Sequence, residues 1–269
     1  MPWSVFWETL RREWRATLLW GGALAFFGLF TTAILPDPEG MKQIVDALEV
    51  VPAFLWQLLG VEDLSIIVTP AGFIGLRYFL TATMLVSVWA VMAGLSVTVN
   101  DETRGIANML VSLPLPRWRI IAEKMLAYVP LAVLVPLGGF AGLLIGIALN
   151  PNAQTDLPPL FLATLNLTPT ALLILSLTVV IGAVIPRRAV AGGIAGVFVA
   201  VSFILKSVAG LAKSDFGDAM AQLSIFKHAD ALAVIRDGIA PLPAIILLIL
   251  AGSMAYAAVV LFQRRDLAA

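Results

Sequence analysis

The sequence predicts an all-α membrane protein with six transmembrane helices. Three observations predict it. The 269-residue chain is 60% hydrophobic and 13% charged, with a mean hydropathy of +0.97, whereas a soluble domain is about 45–50% apolar and about 25% charged. Six uncharged runs, 16–35, 79–99, 125–149, 160–185, 189–205 and 242–262, match the ~20 residues that a helix needs to cross a hydrocarbon core of roughly 30 Å. The basic residues also divide unevenly between the two sides of those runs. With the N-terminus in the cytoplasm, inner segments hold eleven Lys and Arg, and the longer outer segments hold six. The positive-inside rule then puts both termini in the cytoplasm, so the chain reads as a single multi-pass membrane domain over 1–269.

Taken in order, residues 1–15 place Trp3, Phe6, Trp7, Leu10 and Trp14 on one helical stripe and Glu8, Arg11, Arg12, Glu13 and Arg15 on the remainder. That pattern predicts an amphipathic interfacial helix, an elbow ahead of span 1, with a plain extension of span 1 into the cytoplasm as the alternative. The run 16–35 exceeds the ~7–15 residues of a signal-peptide core, and Pro36-Asp37-Pro38 follows it with no small-x-small cleavage site, so it reads as a retained span. In the outer loop 36–78, Met41, Ile44, Val45 and Leu48 form an amphipathic stripe. Pro52 starts a second short helix over 53–59 that ends at Gly60. Neither is long enough to span, and both are expected on the outer leaflet or over the top of the bundle. Only Pro186-Arg187-Arg188 separates spans 4 and 5, which predicts a tight helical hairpin.

The loop 100–124 between spans 2 and 3 is short and carries seven charges. Asn100 or Asp101 can cap a helix there, and Asp101 and Glu102 sit where the helix dipole favours negative charge. Ile106, Met109, Leu110 and Leu113 fall at i, i+3, i+4 and i+7, one face of that helix, and Pro114 and Pro116 end it. The expected element is a short amphipathic helix on the cytoplasmic membrane surface, held between two spans.

The run Glu102-Thr103-Arg104-Gly105-Ile106, then Leu110-Val111-Ser112-Leu113-Pro114, Arg117 and Lys124-Met125-Leu126 resembles the first cytoplasmic loop of ABC-2 type transporter permeases. The pattern there is E-x-x-G-T…LL-x-x-P…R…K; Ile106 stands where the family usually has Thr. Leu223–Asp230 loosely resembles the L-S-P-F-x-Y-x-x-P segment before the last span, with Ile225 in place of Pro and His228 at the aromatic position. Phe262–Leu267 resembles the family's F-x-x-R-D-L ending. The resemblance implies that 101–113 is a coupling helix docking on a separate ATP-binding subunit. Ile106, Met109, Leu110 and Leu113 would supply the apolar contact and Asp101, Glu102 and Arg104 the orientation, with Gly105 and Pro114 shaping the element. It also implies a second permease copy or a similar permease as partner, an elbow helix before span 1, and a substrate cavity involving spans 2 and 5.

Several chemistries are disfavoured. Net charge is zero, which argues against a nucleic-acid partner. With no cysteine and one histidine, His228, thiolate, haem and zinc sites have no ligand set. No G-x-x-x-x-G-K-[ST] stretch occurs, so ATP and Mg are expected on the partner and no cofactor in this chain. The expected span cores carry no Asp, Glu, Lys or His, which disfavours a proton- or sodium-coupled carrier. Ser87, Ser96, Ser176, Ser202 and Ser253 have no histidine beside them in the membrane, and isolated serines in helices bond back to their own backbone. Gly138, Gly142 and Gly146 in span 3, and Gly192, Gly196 and Ala200 in span 5, recur every four residues as helix-packing faces.

The reading is therefore the permease subunit of an ATP-driven ABC-2 type exporter in the cell (inner) membrane, itself no enzyme. A non-transporting membrane anchor or assembly factor, and a secondary carrier, are the alternatives. The cargo and its binding residues are not encoded in any motif.

Overall fold

The computed structural model describes residues 3–49, 52, 69–99, 116–209 and 222–263. They contain helices and turns and no strand. Nine helices position the site: α1 (Ser4–Ala33), α2 (Pro38–Glu49), α3 (Pro70–Val97), α4 (Arg117–Leu149), α5 (Leu157–Leu165), α6 (Leu167–Val184), α7 (Arg188–Ala209), α8 (Ala231–Asp237) and α9 (Pro241–Gln263). Six spans result: α1, α3, α4, α5 with α6, α7 and α9, each long and apolar enough to cross a bilayer.

The span boundaries differ from the sequence expectation in informative ways. Residues 4–15 are continuous with span 1, as the first turns of the 30-residue α1. Nothing breaks the helix at the expected junction, and the Thr17 hydroxyl donates across it to the Glu13 carbonyl at 3.0 Å. Span 2 begins at Pro70 rather than Phe79, because Thr69 caps it by accepting from Gly72 N–H at 3.1 Å and Pro70 takes the first helical position. Gly75–Phe79 forms a π-helical turn within it and carries the exposed Arg77. Span 3 begins at Arg117, so Glu123 and Lys124 are helical residues and not loop. Span 4 breaks at Asn166, since Pro169 has no N–H to offer the carbonyl of Leu165. In the first outer loop, 38–49 is the expected short helix; Met41 of its stripe is buried and Ile44 exposed. The helix expected over 53–59 lies outside the described residues.

The tightest packing joins α1 to α4, which run parallel in a constant register. Gly21 lies against Gly138, Ala25 against Gly142, and Leu29 against Gly146, where the Thr32 side chain also closes in. A Cβ on Gly138 would stand 2.8 Å from the Gly21 Cα, and one on Gly142 would run into the Ala25 carbonyl. Close backbone approach is what small residues permit when helices associate in lipid, where apolar burial gives little drive. Across the bundle, α6 is the central helix, with α3 and α9 against it. Gly94 of α3 approaches α6 closely: a Cβ there would stand 2.6 Å from the Thr178 Cβ and 2.8 Å from the Leu175 carbonyl. The α7 stripe is placed differently. Gly192 meets Leu95 of α3, but a Cβ on Gly196 would meet nothing within 4 Å, and Ala200 is exposed. Ser87, Ser96 and Ser253 donate to carbonyls of their own helices at 2.7, 3.1 and 2.8 Å.

The two glycine stripes should therefore respond oppositely to an added methyl group. Gly142→Ala forces α1 and α4 apart and should cost about 1–3 kcal/mol, seen as a lower melting temperature in detergent. Gly196→Ala should leave that temperature unchanged.

Candidate functional site

The most structured polar site lies where the start of α1, the end of α3 and the start of α4 meet. Each helix begins or ends there with backbone groups that have no partner inside the helix. The N-cap of α1 is Trp3, at φ 69°, and its side chain offers no capping oxygen. Glu123 of α4 takes over that role. Its Oε2 accepts from the N–H groups of Val5 at 3.0 Å and Phe6 at 3.2 Å, the second and third residues of α1. Its Oε1 accepts from Arg119 Nε at 2.6 Å. The next residue, Lys124, donates from Nζ to the Val97 carbonyl, at 3.3 Å, at the last residue of α3. Glu123 and Lys124 are both 4% exposed. The signs suit the helix macrodipoles, with a carboxylate at an N-terminus and an ammonium at a C-terminus. Charges buried this deeply persist only when paired and hydrogen-bonded.

The opposite end of the α1–α4 pair is closed by neutral groups. Asn150 Nδ2 donates to the carbonyls of Thr32 at 2.9 Å and Leu35 at 3.0 Å, and its Oδ1 accepts from Asn152 N–H at 3.0 Å.

A second cluster closes the start of α3 and the end of α7. The Ser224 hydroxyl donates to the Ser202 carbonyl at 2.6 Å and accepts from Phe226 N–H at 3.2 Å. Phe226 is thereby pinned edge-on to Phe203, with ring centres 6.2 Å apart. Lys206 Nζ pairs with Asp230 Oδ2 at 3.1 Å, while Asp230 Oδ1 caps α8 by accepting from Leu232 N–H at 3.0 Å. Leu232 packs over Gly75 in the π-turn of α3, where any side chain at 75 would displace it. Only a crevice of about 40 Å³ remains between these groups. His228 sits half-buried in the turn before Asp230. On α8, the Arg236 guanidinium hydrogen-bonds the Asp237 carboxylate and holds its pKa below the usual carboxylate range.

A larger apolar groove of about 410 Å³ runs between α4, α6 and α9. Leu126, Val129, Leu172, Leu248 and Val259 line it, with Ser176 and Tyr256 as its polar side chains.

The coupling residues read from sequence, Asp101, Glu102, Arg104, Gly105, Ile106, Met109, Leu110, Leu113 and Pro114, lie outside the described residues. Gly138, Gly142 and Gly146 all face α1; of the second stripe, only Gly192 meets a neighbouring helix. The roles of Glu123, Asn150 and the Lys206–Asp230 pair were missed. A charged pair directly before the apolar run of span 3 was the available signal for Glu123 and Lys124. Among the described residues, no group of three or more His, Cys, Asp or Glu is placed to hold a metal ion.

The family model described as "Multidrug efflux system permease Rv1217c, C-terminal domain" matches residues 5–263. No curated protein and no solved structure matches.

Asp230→Ala removes both the cap of α8 and the partner of Lys206. It should cost about 1 kcal/mol locally, read as roughly fivefold faster amide exchange over 231–237. The melting temperature of the span bundle should not move.

Proposed function

The chain belongs to the multidrug efflux system permease family, of ABC-2 type, and from that premise we propose that it is the membrane subunit of an ATP-driven exporter. In this reading ATP and Mg are bound and consumed on a separate subunit, and this chain supplies no catalytic group. The loop 100–115 is the docking element. Ile106, Met109, Leu110 and Leu113 form its apolar face, and Asp101, Glu102 and Arg104 orient it by charge. Both termini and this loop face the cytoplasm of a cell whose inner membrane holds the protein.

The observation that carries the reading is the family match over nearly the whole chain, in a bundle of six spans. The absence of a P-loop from the sequence is in keeping with an ATPase carried elsewhere. Charge placement favours a driven permease over an ion-coupled carrier. Glu123 and Lys124, the buried charges of span 3, stand near a helix end and are bonded to the backbone of other helices.

Pairing with a second permease copy or a similar permease is part of the same proposal. Support comes from the exposed apolar faces of the adjacent helices α3 and α7, including Val88, Met92, Val197, Val201 and Ile204. Those faces would border a path between two copies, through which a hydrophobic or amphipathic cargo passes.

The test uses the chain's lack of cysteine. A single Asn108→Cys should resist a membrane-impermeant maleimide in intact cells and react once the membrane is opened. An ATPase subunit should co-purify with the chain and show vanadate-sensitive hydrolysis in lipid, and Leu110→Asp should cut its recovery about tenfold or more. Labelling of the Asn108→Cys variant on intact cells, or unchanged recovery with Leu110→Asp, would sink the docking assignment.

A further inference from the structure

The docking loop can pass force to the spans only through its two feet, the end of α3 and the start of α4. Those feet are tied together by the Lys124 Nζ to Val97 carbonyl bond, which bridges 27 positions of chain. One residue earlier on the same turn of α4, Glu123 grips the first amides of α1. Two neighbouring buried charges thus connect three helices at the base of one loop. We propose that Glu123 and Lys124 are the positioning residues of the coupling step: they join the loop's feet to α1 so that α1, α3 and α4 answer its movement together. This rests on the ATP-driven reading above and names the residues that transmit the stroke.

The bonding pattern favours this role over simple stabilisation. α1 already has a continuous close-packed seam with α4 and a second attachment at Asn150. Anchoring α1 does not by itself require a buried carboxylate, nor does it explain the bond from Lys124 to the last carbonyl of α3. A buried ion pair is in general weak support for stability and better suited to fixing one arrangement among several. An ammonium on an orphan carbonyl at a helix end fixes where that end sits. Arg119, pairing with the other oxygen of Glu123, keeps the carboxylate aimed at the α1 amides.

The experiment uses the complex of permease and ATPase subunit in lipid, with Thr83→Cys as reporter. Thr83 lies near the middle of α3 and lines the crevice between α3 and α7. The maleimide labelling rate is measured with and without ATP plus vanadate, alongside ATP hydrolysis. In the otherwise unaltered chain the nucleotide should change the rate about tenfold, the effect expected of a difference near 1.4 kcal/mol. That change should vanish in Glu123→Gln and in Lys124→Met while the ATPase stays bound and active. It should return in Lys124→Arg and persist in Asn150→Ala, which loosens the same helix pair at its other end. A nucleotide response that survives Lys124→Met, or that Asn150→Ala abolishes equally, overturns the joint and leaves the ATP-driven reading standing. If the unaltered chain binds no ATPase or gives no response, the ATP-driven reading fails and the joint fails with it.

Discussion

A helix that crosses a bilayer carries unpaired amides at its start and unpaired carbonyls at its end, and lipid offers them nothing. In α1 both sets are satisfied by one neighbour. Glu123 receives the first amides and Asn150 donates to the last carbonyls. The two attachments share the same sequence separation, 118 residues, which holds only if the helices run parallel without slipping. The glycines of α4 follow from that register. Gly138, Gly142 and Gly146 are the positions where the α1 backbone or side chains occupy the space of a Cβ. A carboxylate at one end and an amide at the other therefore set the line along which the whole seam closes.

The remaining helices are arranged around this pair with less exacting contacts. α6 fills the centre, and its break at Asn166 leaves α5 to lie against α8 and the outer turn. The start of α3 and the end of α7 are closed by side chains that each hold two things at once. Ser224 links α7 to Phe226, and Asp230 links Lys206 to the start of α8. By contrast α7 and α9 present long apolar faces outward, as helices facing lipid or a second permease would. The molecule thus has a stiff side, α1 with α4, and a side whose helices are bordered by few protein neighbours.

The sequence carried the number and type of the spans because each is a long uncharged run, and run length is decided locally. It carried the short outer helix at 38–49 through its stripe of Met41, Ile44, Val45 and Leu48. It misplaced boundaries where polar residues are helical. Arg77, Glu123 and Lys124 all sit inside helices because their side chains reach solvent or a helix end, and hydropathy sees only their charge. The continuity of residues 4–15 with span 1 was hidden for a related reason: a tryptophan stripe reports one wet face, and a continuous helix emerging from lipid also has one. Glu123 was least legible. Its partners are backbone amides, and no residue type at positions 5 and 6 announces them. The stripes Gly138/Gly142/Gly146 and Gly192/Gly196/Ala200 look alike on paper; only the fold distinguishes a seam filled by α1 from a surface that this chain leaves uncovered.

The parallel pairing of α1 with α4 also bears on how the protein is made. Because the residues that close α1 lie 118 positions downstream, a ribosome adding about 5–20 residues per second needs on the order of ten seconds to supply them. For that interval α1 waits in the membrane with a tryptophan at its cap and without the carboxylate that closes its leading amides. α1 is thus finished well after it is made, and the insertion machinery has to shelter it until α4 arrives.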